Sequence, residues 1–319
     1  KYAGLKTTEA RAQIIEDLKQ AGYIYRQDPI CHAVQVHERC DTPIEFLPKK
    51  QWFIKTSSEE LKKIWLQQGE KIEWHPEAMK TRYDVWVNNL NQDWSISRQR
   101  YFGVPFPVWY CKACGKPKFA EIEDLPVNPL TTNPKTCCEC GCCDFIPEKD
   151  VLDTWATSSC TPQINMNWLK DEEYANEHIP MSMRFCGRDI ITTWSLRTII
   201  KAYYHQNTIP WKTLNVNGWV MADKGIKISK HLANSKMNLN DLLNNCGADV
   251  IRYWCASGAY GRDVYFSDDG LKDGAKLSNK LWNASKFALS FLYDYTPEKP
   301  ENILPMDLYI MAKYNQMFE

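Results

Sequence analysis

Two lysines in a short polar segment of this 319-residue chain could act on phosphate groups. Lys227 and Lys230 lie three positions apart and enclose one small hydroxyl residue, Ser229. Each ammonium could serve as a point charge on oxygens that become more negative when a triphosphate is attacked at its α-phosphate. A lysine-rich turn exposed to solvent is the alternative interpretation, so the rest of the sequence has to decide between the two.

A group of cysteines indicates a structural zinc site. Seven of the thirteen cysteines lie between positions 111 and 143, and two Cys-x-x-Cys-Gly segments predict Cys111, Cys114, Cys137 and Cys140 as ligands. A second pair made of Cys140 and Cys143 remains open. Four thiolates leave no position for water, so the predicted role is structural. Disulfides are disfavoured because the other cysteines are isolated among apolar residues.

The elements around the lysines predict an α/β fold. The segment from Val151 to Trp155 is predicted to be a short buried strand that ends in a loop, the place where open α/β sheets bind ligands. A long helix is predicted from Arg188 to Gln206, and an alternating strand then leads into the lysine segment. In that strand Gly218 would let a flat ring approach the backbone. This strand–helix–strand order is typical of a doubly wound, Rossmann-like parallel sheet.

Helical patterns cover much of the remaining chain. A helix is predicted from Thr7 to Gly22, and a second one is predicted after a cap at Ser57–Ser58. The stripe of the helix that follows Pro76 is expected to face the core, and it consists of Met79, Tyr83, Trp86 and Leu90. Beyond position 276 an amphipathic pattern predicts a C-terminal helical segment.

Composition restricts the class of protein. Lysine plus arginine and aspartate plus glutamate balance at 39 each, so net charge does not predict an RNA partner. No apolar run of about 18 residues is present, which predicts that the chain has no membrane-spanning helix. We expect about two domains and a soluble protein of the cytoplasm.

The ordered motifs resemble those of class I aminoacyl-tRNA synthetases. The lysine segment resembles their Lys-Met-Ser-Lys-Ser signature, and the segment from Asp93 to Trp109 is similar to the one typical of the valine, isoleucine and leucine enzymes. Segments 151–159, 188–194 and 247–254 follow in the order of that family. Over its whole length the chain resembles the valyl-tRNA synthetases, most nearly the archaeal type. The resemblance implies ATP-dependent activation of valine and its transfer to tRNA, with Mg²⁺ accompanying ATP.

The resemblance also assigns roles to single residues. The implied catalytic residues are Lys227, Lys230 and Ser229. The implied ATP-binding residues are Gly187, Asp189, Gly218, Lys227 and Lys230. The implied walls of the amino-acid pocket are Trp155, Ile190 and Trp194. The sequence departs from the expected pattern at Cys186, Arg188 and Trp219, and these departures leave the nucleotide contacts open.

The same resemblance implies an order of domains. It comprises the tail of an editing insertion (1–48), connective helices (49–110), a zinc ribbon (111–148), the second half of the catalytic domain (149–236), a stem-contacting connector (237–275) and the start of an anticodon-binding bundle (276–319). No His-x-Gly-His element occurs among the six histidines. We therefore expect the chain to work with a separate N-terminal synthetase half.

Other interpretations remain open at this point. One is a non-catalytic paralogue that binds tRNA or a protein, and another is a zinc-stabilised scaffold. A zinc ribbon that binds nucleic acid independently is a third.

Overall fold

The computed structural model describes residues 1–37, 40–223, 225–228, 238–298 and 300–318. These residues form two compact units, 1–50 and 51–319. The first unit contains helix α1 (Thr7–Gln20), which begins and ends close to the predicted positions. Gly22 adopts a φ of +74° directly after it, a left-handed conformation that favours glycine. No residue of α1 is buried.

The second unit alternates short strands and helices. Its strands are β1 (Phe53–Ile54), β2 (Glu73–His75), β3 (Trp94–Ser95), β4 (Ser97–Arg98), β5 (Val108–Cys111), β6 (Pro117–Phe119), β7 (Phe145–Pro147), β8 (Val151–Leu152), β9 (Met181–Gly187), β10 (Trp211–Asn217), β11 (Val220–Asp223), β12 (Ile226–Lys227) and β13 (Val264–Tyr265). Its helices are α2 (Glu59–Glu70), α3 (Ala78–Asn88), α4 (Thr154–Ser158), α5 (Thr161–Asn165), α6 (Glu172–His178), α7 (Leu196–Gln206), α8 (Leu239–Cys246), α9 (Ala248–Ala256), α10 (Asp268–Ser290) and α11 (Pro305–Asn315). No helix in these described ranges is long and apolar enough to cross a membrane.

A parallel sheet with the order β2-β10-β9 forms the centre of the second unit. A strand–helix–strand crossover is present and runs from β9 through α7 to β10, but its first strand is β9, which no sequence pattern predicted. Its first turns differ from the predicted continuous helix, because a 3₁₀ turn (Arg188–Ile190) and a π-helical turn (Ile191–Ser195) precede α7. The π-helical turn keeps both Ile191 and Trp194 buried in the core.

The core lies between this sheet and the helices that cover it. Apolar residues from β10 and α7 are fully buried together, among them Trp211, Leu214, Ile199 and Ile200. Helices α2 and α3 contribute Trp65, Tyr83 and Val87 to the same core. The predicted cap of α2 is present, since the Ser58 hydroxyl accepts a hydrogen bond from the Leu61 amide at 3.3 Å.

Strand β8 differs from the prediction. Val151–Leu152 does form a strand, but it pairs antiparallel with β4 rather than joining the parallel sheet, and α4 begins directly after it where a loop was expected. The third strand of the parallel sheet is instead β2, which no sequence pattern indicated. A three-residue strand carries too little alternation to be recognised before its partner is known.

Two smaller sheets and a helical region complete the unit. Strands β6, β5 and β7 form an antiparallel sheet in the cysteine-rich region. Strands β11 and β12 form a hairpin, and β13 pairs parallel with β11 on its other side. A second small core joins α8, α9 and α10 and consists of Leu242, Val250, Trp254 and Leu271.

Candidate active site and candidate metal centre

Asp189 and Lys227 meet beyond the carboxyl ends of two neighbouring parallel strands. Asp189 lies in the 3₁₀ turn directly after β9, and Lys227 lies in the hairpin that follows β10. The Lys227 Nζ is 2.9 Å from the Asp189 Oδ2. Partial burial of Asp189 is the largest single effect and opposes its ionisation, but the hydrogen bond and charge of Lys227 act together with further hydrogen bonds, and the sum lowers the pKa of Asp189. The structure therefore brings two predicted nucleotide-binding residues together.

Trp219 forms a platform beside this ion pair. The Arg188 guanidinium lies 4.1 Å from the centre of the Trp219 ring, and the Lys227 Nζ lies 4.6 Å from it. Both distances are typical of cation–π contacts. Asp263 fixes the group, because it pairs with Arg188 at 2.9 Å and accepts a hydrogen bond from the Trp219 amide at 2.9 Å. Arg188 and Trp219, two residues that depart from the expected family pattern, thus contact each other.

Gly187 and Gly218 both permit close approaches within the chain. A Cβ at Gly187 would lie 2.6 Å from the Asp189 Oδ1, so glycine leaves room for that carboxylate. A Cβ at Gly218 would lie 1.9 Å from the carbonyl oxygen of Arg262. The flat ring predicted to approach Gly218 is therefore replaced here by the backbone of the chain itself. An additional ATP contact at Gly218 remains a prediction.

Trp155 lies at the edge of a cavity of about 540 Å³. The cavity is also lined by Trp86, Arg98, Asp153 and Arg197. Trp155 is 37% exposed, which leaves part of its ring free to contact a ligand.

The other two predicted pocket residues belong to the core. Trp194 is 5% exposed and stacks on Trp211 with ring centres 5.3 Å apart. Ile190 is half-buried and packs against the same core. Among the described residues, neither side chain lines the cavity next to Trp155. Indirectly, Trp194 is tied to the element that carries Trp155, because its Nε1 donates to the Ser158 carbonyl at 3.2 Å.

Four cysteines converge in the candidate metal centre. The Sγ atoms of Cys111, Cys114, Cys138 and Cys140 all lie within 4.8 Å of one another. Two of the separations are 3.5 Å (Cys111–Cys140) and 3.6 Å (Cys114–Cys138). A tetrahedral Zn²⁺ with bonds of about 2.3 Å requires sulfur–sulfur distances of about 3.8 Å, so the group fits zinc. Hydrogen bonds from the backbone amides of Cys114 and Ala113 lower the pKa of Cys111 to about 6, which favours the thiolate that binds metal.

The structure corrects one predicted ligand. Cys137 lies outside the cluster in a disulfide with Cys143, contrary to the expectation that disulfides are disfavoured, and Cys138 takes its place. The reason is the local turn, which starts one residue later than the Cys-x-x-Cys pattern implies. The Gly141 amide donates to the Cys138 carbonyl at 2.8 Å, and the Cys138 amide donates to the Cys142 carbonyl at 2.9 Å. The open alternative of Cys140 with Cys143 is likewise not the arrangement found.

Two predicted catalytic residues, Ser229 and Lys230, lie outside the described residues, and so does His231. Their catalytic roles remain predictions.

Comparison with known proteins decides the family. The sequence pattern of the family described as tRNA synthetases class I (I, L, M and V) matches residues 5–267. The chain belongs to this family. The predicted resemblance is thus confirmed for most of the synthetase chain.

Curated relatives of the synthetase chain carry the name valine–tRNA ligase. The protein of Anaplasma marginale is 40% identical over 321 residues, which cover 99% of this chain and 38% of that protein. The protein of Methanocaldococcus jannaschii is 41% identical over 323 residues, which cover 100% of this chain and 36% of that protein. The chain spans less than two fifths of the length of these relatives. A bacterial and an archaeal relative are thus about equally similar to it.

Solved structures show the same fold. Methionyl-tRNA synthetase of Mycobacterium tuberculosis, in complex with methionyl-adenylate, superposes with a TM-score of 0.64 at 16% identity. The match covers 89% of the synthetase chain and 50% of that protein. A leucyl-tRNA synthetase of Agrobacterium radiobacter gives a TM-score of 0.54 at 23% identity, over 66% of this chain and 31% of its own. The α/β class I catalytic fold with a parallel sheet is therefore established.

Trp86 is a site residue that sequence reasoning missed. The sequence predicts that it faces the core, but it is 45% exposed and lines both the cavity at Trp155 and a second cavity of about 640 Å³ that is also lined by Arg188 and Asp189. The buried face of α3 centres on Tyr83 and Val87 instead, and this rotation leaves Trp86 at its margin. The helical period could not reveal this exposure, because Trp86 falls on the same broad apolar stripe of α3 as the buried Tyr83.

Proposed function

We propose that this synthetase chain is the second part of the catalytic region of a valine–tRNA ligase. The N-terminal half, with the His-x-Gly-His element, would supply the first part. The enzyme would activate valine with ATP and transfer the valyl group to the 3′-terminal ribose of tRNA. The pairing of Asp189 with Lys227 carries the proposal, because it brings a carboxylate and an ammonium to the carboxyl edge of a parallel sheet, where nucleotides bind. The names of the relatives supply the amino acid.

The ion pair suggests how ATP would be held. The Asp189 carboxylate can accept hydrogen bonds from the two ribose hydroxyls, and Lys227 can then turn its charge to the triphosphate. ATP would enter as its magnesium complex. Lys227, Lys230 and Ser229 would stabilise the charge that develops on the phosphates when the valine carboxylate attacks the α-phosphate. Catalysis would rest mainly on positioning and charge.

The amino-acid pocket would be built in two layers. Trp155, which is partly exposed at its cavity, would contact the branched side chain of valine. Ile190 and Trp194 would stand behind it and hold the wall in place. An apolar pocket of this kind discriminates valine from threonine by only about 10²-fold, so a separate editing activity would be required.

Zinc would have a structural role in this proposal. Cys111, Cys114, Cys138 and Cys140 would hold the ion, and with four thiolate ligands it would stabilise the fold of the ribbon rather than take part in the reaction. When bound, Zn²⁺ would link the turn of Cys111 and Cys114 to the turn of Cys138 and Cys140.

Strand β9 supports the proposed need for an N-terminal synthetase half. Among the described strands it pairs only with β10, so its other edge is open. Met183 and Phe185 on this strand are 49% and 53% exposed. An open edge with apolar side chains is suited to pairing with a further strand. The partners of the complete enzyme would be this half, tRNA, ATP and valine. A cytoplasmic location also remains a prediction.

Valine-dependent exchange of pyrophosphate into ATP tests the proposal. The chain is assayed alone and with a separately folded N-terminal half that carries the His-x-Gly-His element. We expect exchange only in the mixture. Lys227→Ala should reduce exchange about 10²-fold, since it removes a charge on the phosphates. Lys212→Ala, which removes an exposed lysine from β10, is the matched control and should leave exchange unchanged. If the mixture shows no exchange although both parts are folded, the ligase proposal is excluded.

A non-catalytic paralogue is the second candidate. The observation that favours it is the contact between Arg188 and Trp219, because two departures from the family pattern occupy space beside Asp189. In that case the chain would bind tRNA or a protein without activating valine. Binding of tRNA without any exchange would support this candidate, whereas exchange that depends on Lys227 would exclude it.

A further inference from the structure

The position of Trp155 is not explained by packing of its own side chain. Its ring is 37% exposed, and the helix that carries it, α4, has only five residues. The ring nevertheless lies at the edge of the cavity of about 540 Å³. The backbone at the start of α4 must therefore be fixed by other contacts if the ring is to keep one place.

Asp153 supplies these contacts immediately before the helix. Its Oδ2 accepts a hydrogen bond from the Trp155 amide at 3.2 Å, and its own amide donates to the Ile96 carbonyl at 2.7 Å. Its Oδ1 lies 3.1 Å from the Arg98 Nη2. Asp153 is only 6% exposed, and a buried carboxylate of this kind is costly unless its charge is balanced.

Arg98 balances this charge in a direct ion pair, and Arg197 lines the same cavity without forming an ion pair with Asp153 in the described part of the chain. Arg98 on β4 is itself held in place, because its Nη1 donates to the carbonyls of Ser97 and Ser95 at 2.7 and 3.1 Å. Arg197 on α7 stacks on Trp94 at 4.6 Å. Burial lowers the pKa of Arg197 to about 10, although the charge of Asp153 acts in the opposite direction. The guanidinium is still charged at neutral pH.

This arrangement concentrates three segments on one carboxylate. Strand β4 contributes Arg98, helix α7 contributes Arg197, and the segment before α4 contributes Asp153. All three residues line the cavity beside Trp155. Neutralising the carboxylate would leave the partly buried Arg98 guanidinium without its counter-charge. The ion pair between β4 and the segment before α4 would then be lost, and the start of α4 would be less firmly held.

We propose that Asp153 is a positioning residue that fixes the Trp155 ring at the cavity and thereby sets which amino-acid side chain the cavity accepts. The choice of valine as that amino acid rests on the proposed function. The positioning itself does not, because it is a property of the folded chain.

Fluorine NMR of the chain labelled with 5-fluorotryptophan tests the positioning directly. The Trp155 signal is assigned by its loss in Trp155→Phe. Asp153→Asn keeps an oxygen that can cap the helix but removes the charge, so we expect the Trp155 signal to shift and broaden or to split. Asp171→Asn is the matched control, because Asp171 is the exposed cap of α6 and accepts from the Tyr174 amide at 3.0 Å. This control should leave the Trp155 signal unchanged.

Arg98→Gln provides a second and milder variant. The Arg98 side chain is 34% exposed, so the fold should tolerate its loss. We expect the same direction of change in the Trp155 signal. An unchanged Trp155 signal in a folded Asp153→Asn or Arg98→Gln chain would overturn the proposal.

Kinetics of the chain mixed with the N-terminal half separate a specific effect on the pocket from a general loss of structure. Asp153→Asn should raise the KM for valine on the order of tenfold and lower the preference for valine over isoleucine, with the KM for ATP unchanged. An equal rise of both KM values would contradict a specific effect on the pocket. If exchange is absent even in the wild type, the proposed function fails, while the NMR result still decides whether Asp153 positions Trp155.

Discussion

At the scale of single residues, Lys227 followed from its place in a polar segment after a predicted strand, whereas Asp189 followed only from the family resemblance. No strand was predicted directly before Asp189, so the sequence did not predict that the two residues would form an ion pair. The contact of Arg188 with Trp219 could not be anticipated, because it joins segments that are separated by thirty residues and depends on Asp263. Sequence reasoning recognised both residues only as departures from a pattern.

The pKa of Asp189 should respond to removal of its partner. In the folded chain this pKa is lowered, so the ion pair contributes stability above the ordinary pKa of a carboxylate and loses it as the pH falls through the lowered value. In Lys227→Ala the opposing effect of burial remains, and the pKa of Asp189 should rise. Titration of the carboxyl ¹³C signal by NMR measures this shift.

The control for this titration is Lys212→Ala, which should leave the pKa of Asp189 at the wild-type value. The effect on global stability should be small, because the two side chains are 42% and 44% exposed and solvent screens the pair. An Asp189 pKa that stays unchanged in Lys227→Ala would show that the pair does not form in solution.

At the scale of elements, sequence patterns predicted helices and caps but not the short turns that select the metal ligands or the pairing of short strands. The cap of α2, helix α7 and strand β10 followed from capping and periodicity, whereas strand β9 did not. The choice of Cys138 over Cys137 did not, because adjacent cysteines satisfy the same spacing rule and only the turn closed by Gly141 selects between them. The partner of β2 was equally hidden, since strand pairing depends on contacts that are distant in sequence.

Zinc retention distinguishes the two adjacent cysteines. Cys138→Ser should lose the bound metal and lower the melting temperature of the ribbon, because a structural zinc site contributes directly to folding. Cys137→Ser removes the disulfide to Cys143 but no proposed ligand, so it should retain the metal, and the comparison rests on zinc content. Zinc content by mass spectrometry, measured together with thermal unfolding, checks both. Retention in Cys138→Ser with loss in Cys137→Ser would restore the original assignment.

The segment between β10 and β11 should not tolerate a side chain at Gly218. Gly218→Ala would place its Cβ against the Arg262 carbonyl oxygen, and relief of the clash requires the backbone to move. We expect a loss of about 1–3 kcal/mol in the free energy of unfolding. Asn217→Ala, at the adjacent exposed position, is the control. Denaturant unfolding measures both, and equal stabilities of the two variants would contradict the close approach.

At the scale of the whole molecule, the open edge of β9 should control assembly. Phe185→Asp places a charge on the exposed apolar strand and should weaken binding of the N-terminal half, because charged side chains disfavour pairing at strand edges. Ile122→Asp introduces the same charge at another exposed apolar residue, in the cysteine-rich region, and should bind normally. Titration calorimetry with the separate half compares them. Equal affinity for both variants would exclude β9 as the binding edge.

The hairpin that carries Lys227 is not independent of the helical region that follows it. Strand β11 pairs with β12 on one side and with β13 on the other, and α10 begins three residues after β13. Gly218 adds a second junction, because it abuts the backbone of Arg262 just before β13. The strand that carries Lys227 is therefore joined through β11 to the segment that leads into α10. Any displacement of that segment has to move β11 or break its pairing with β13, so the place of Lys227 depends on where the following helices begin.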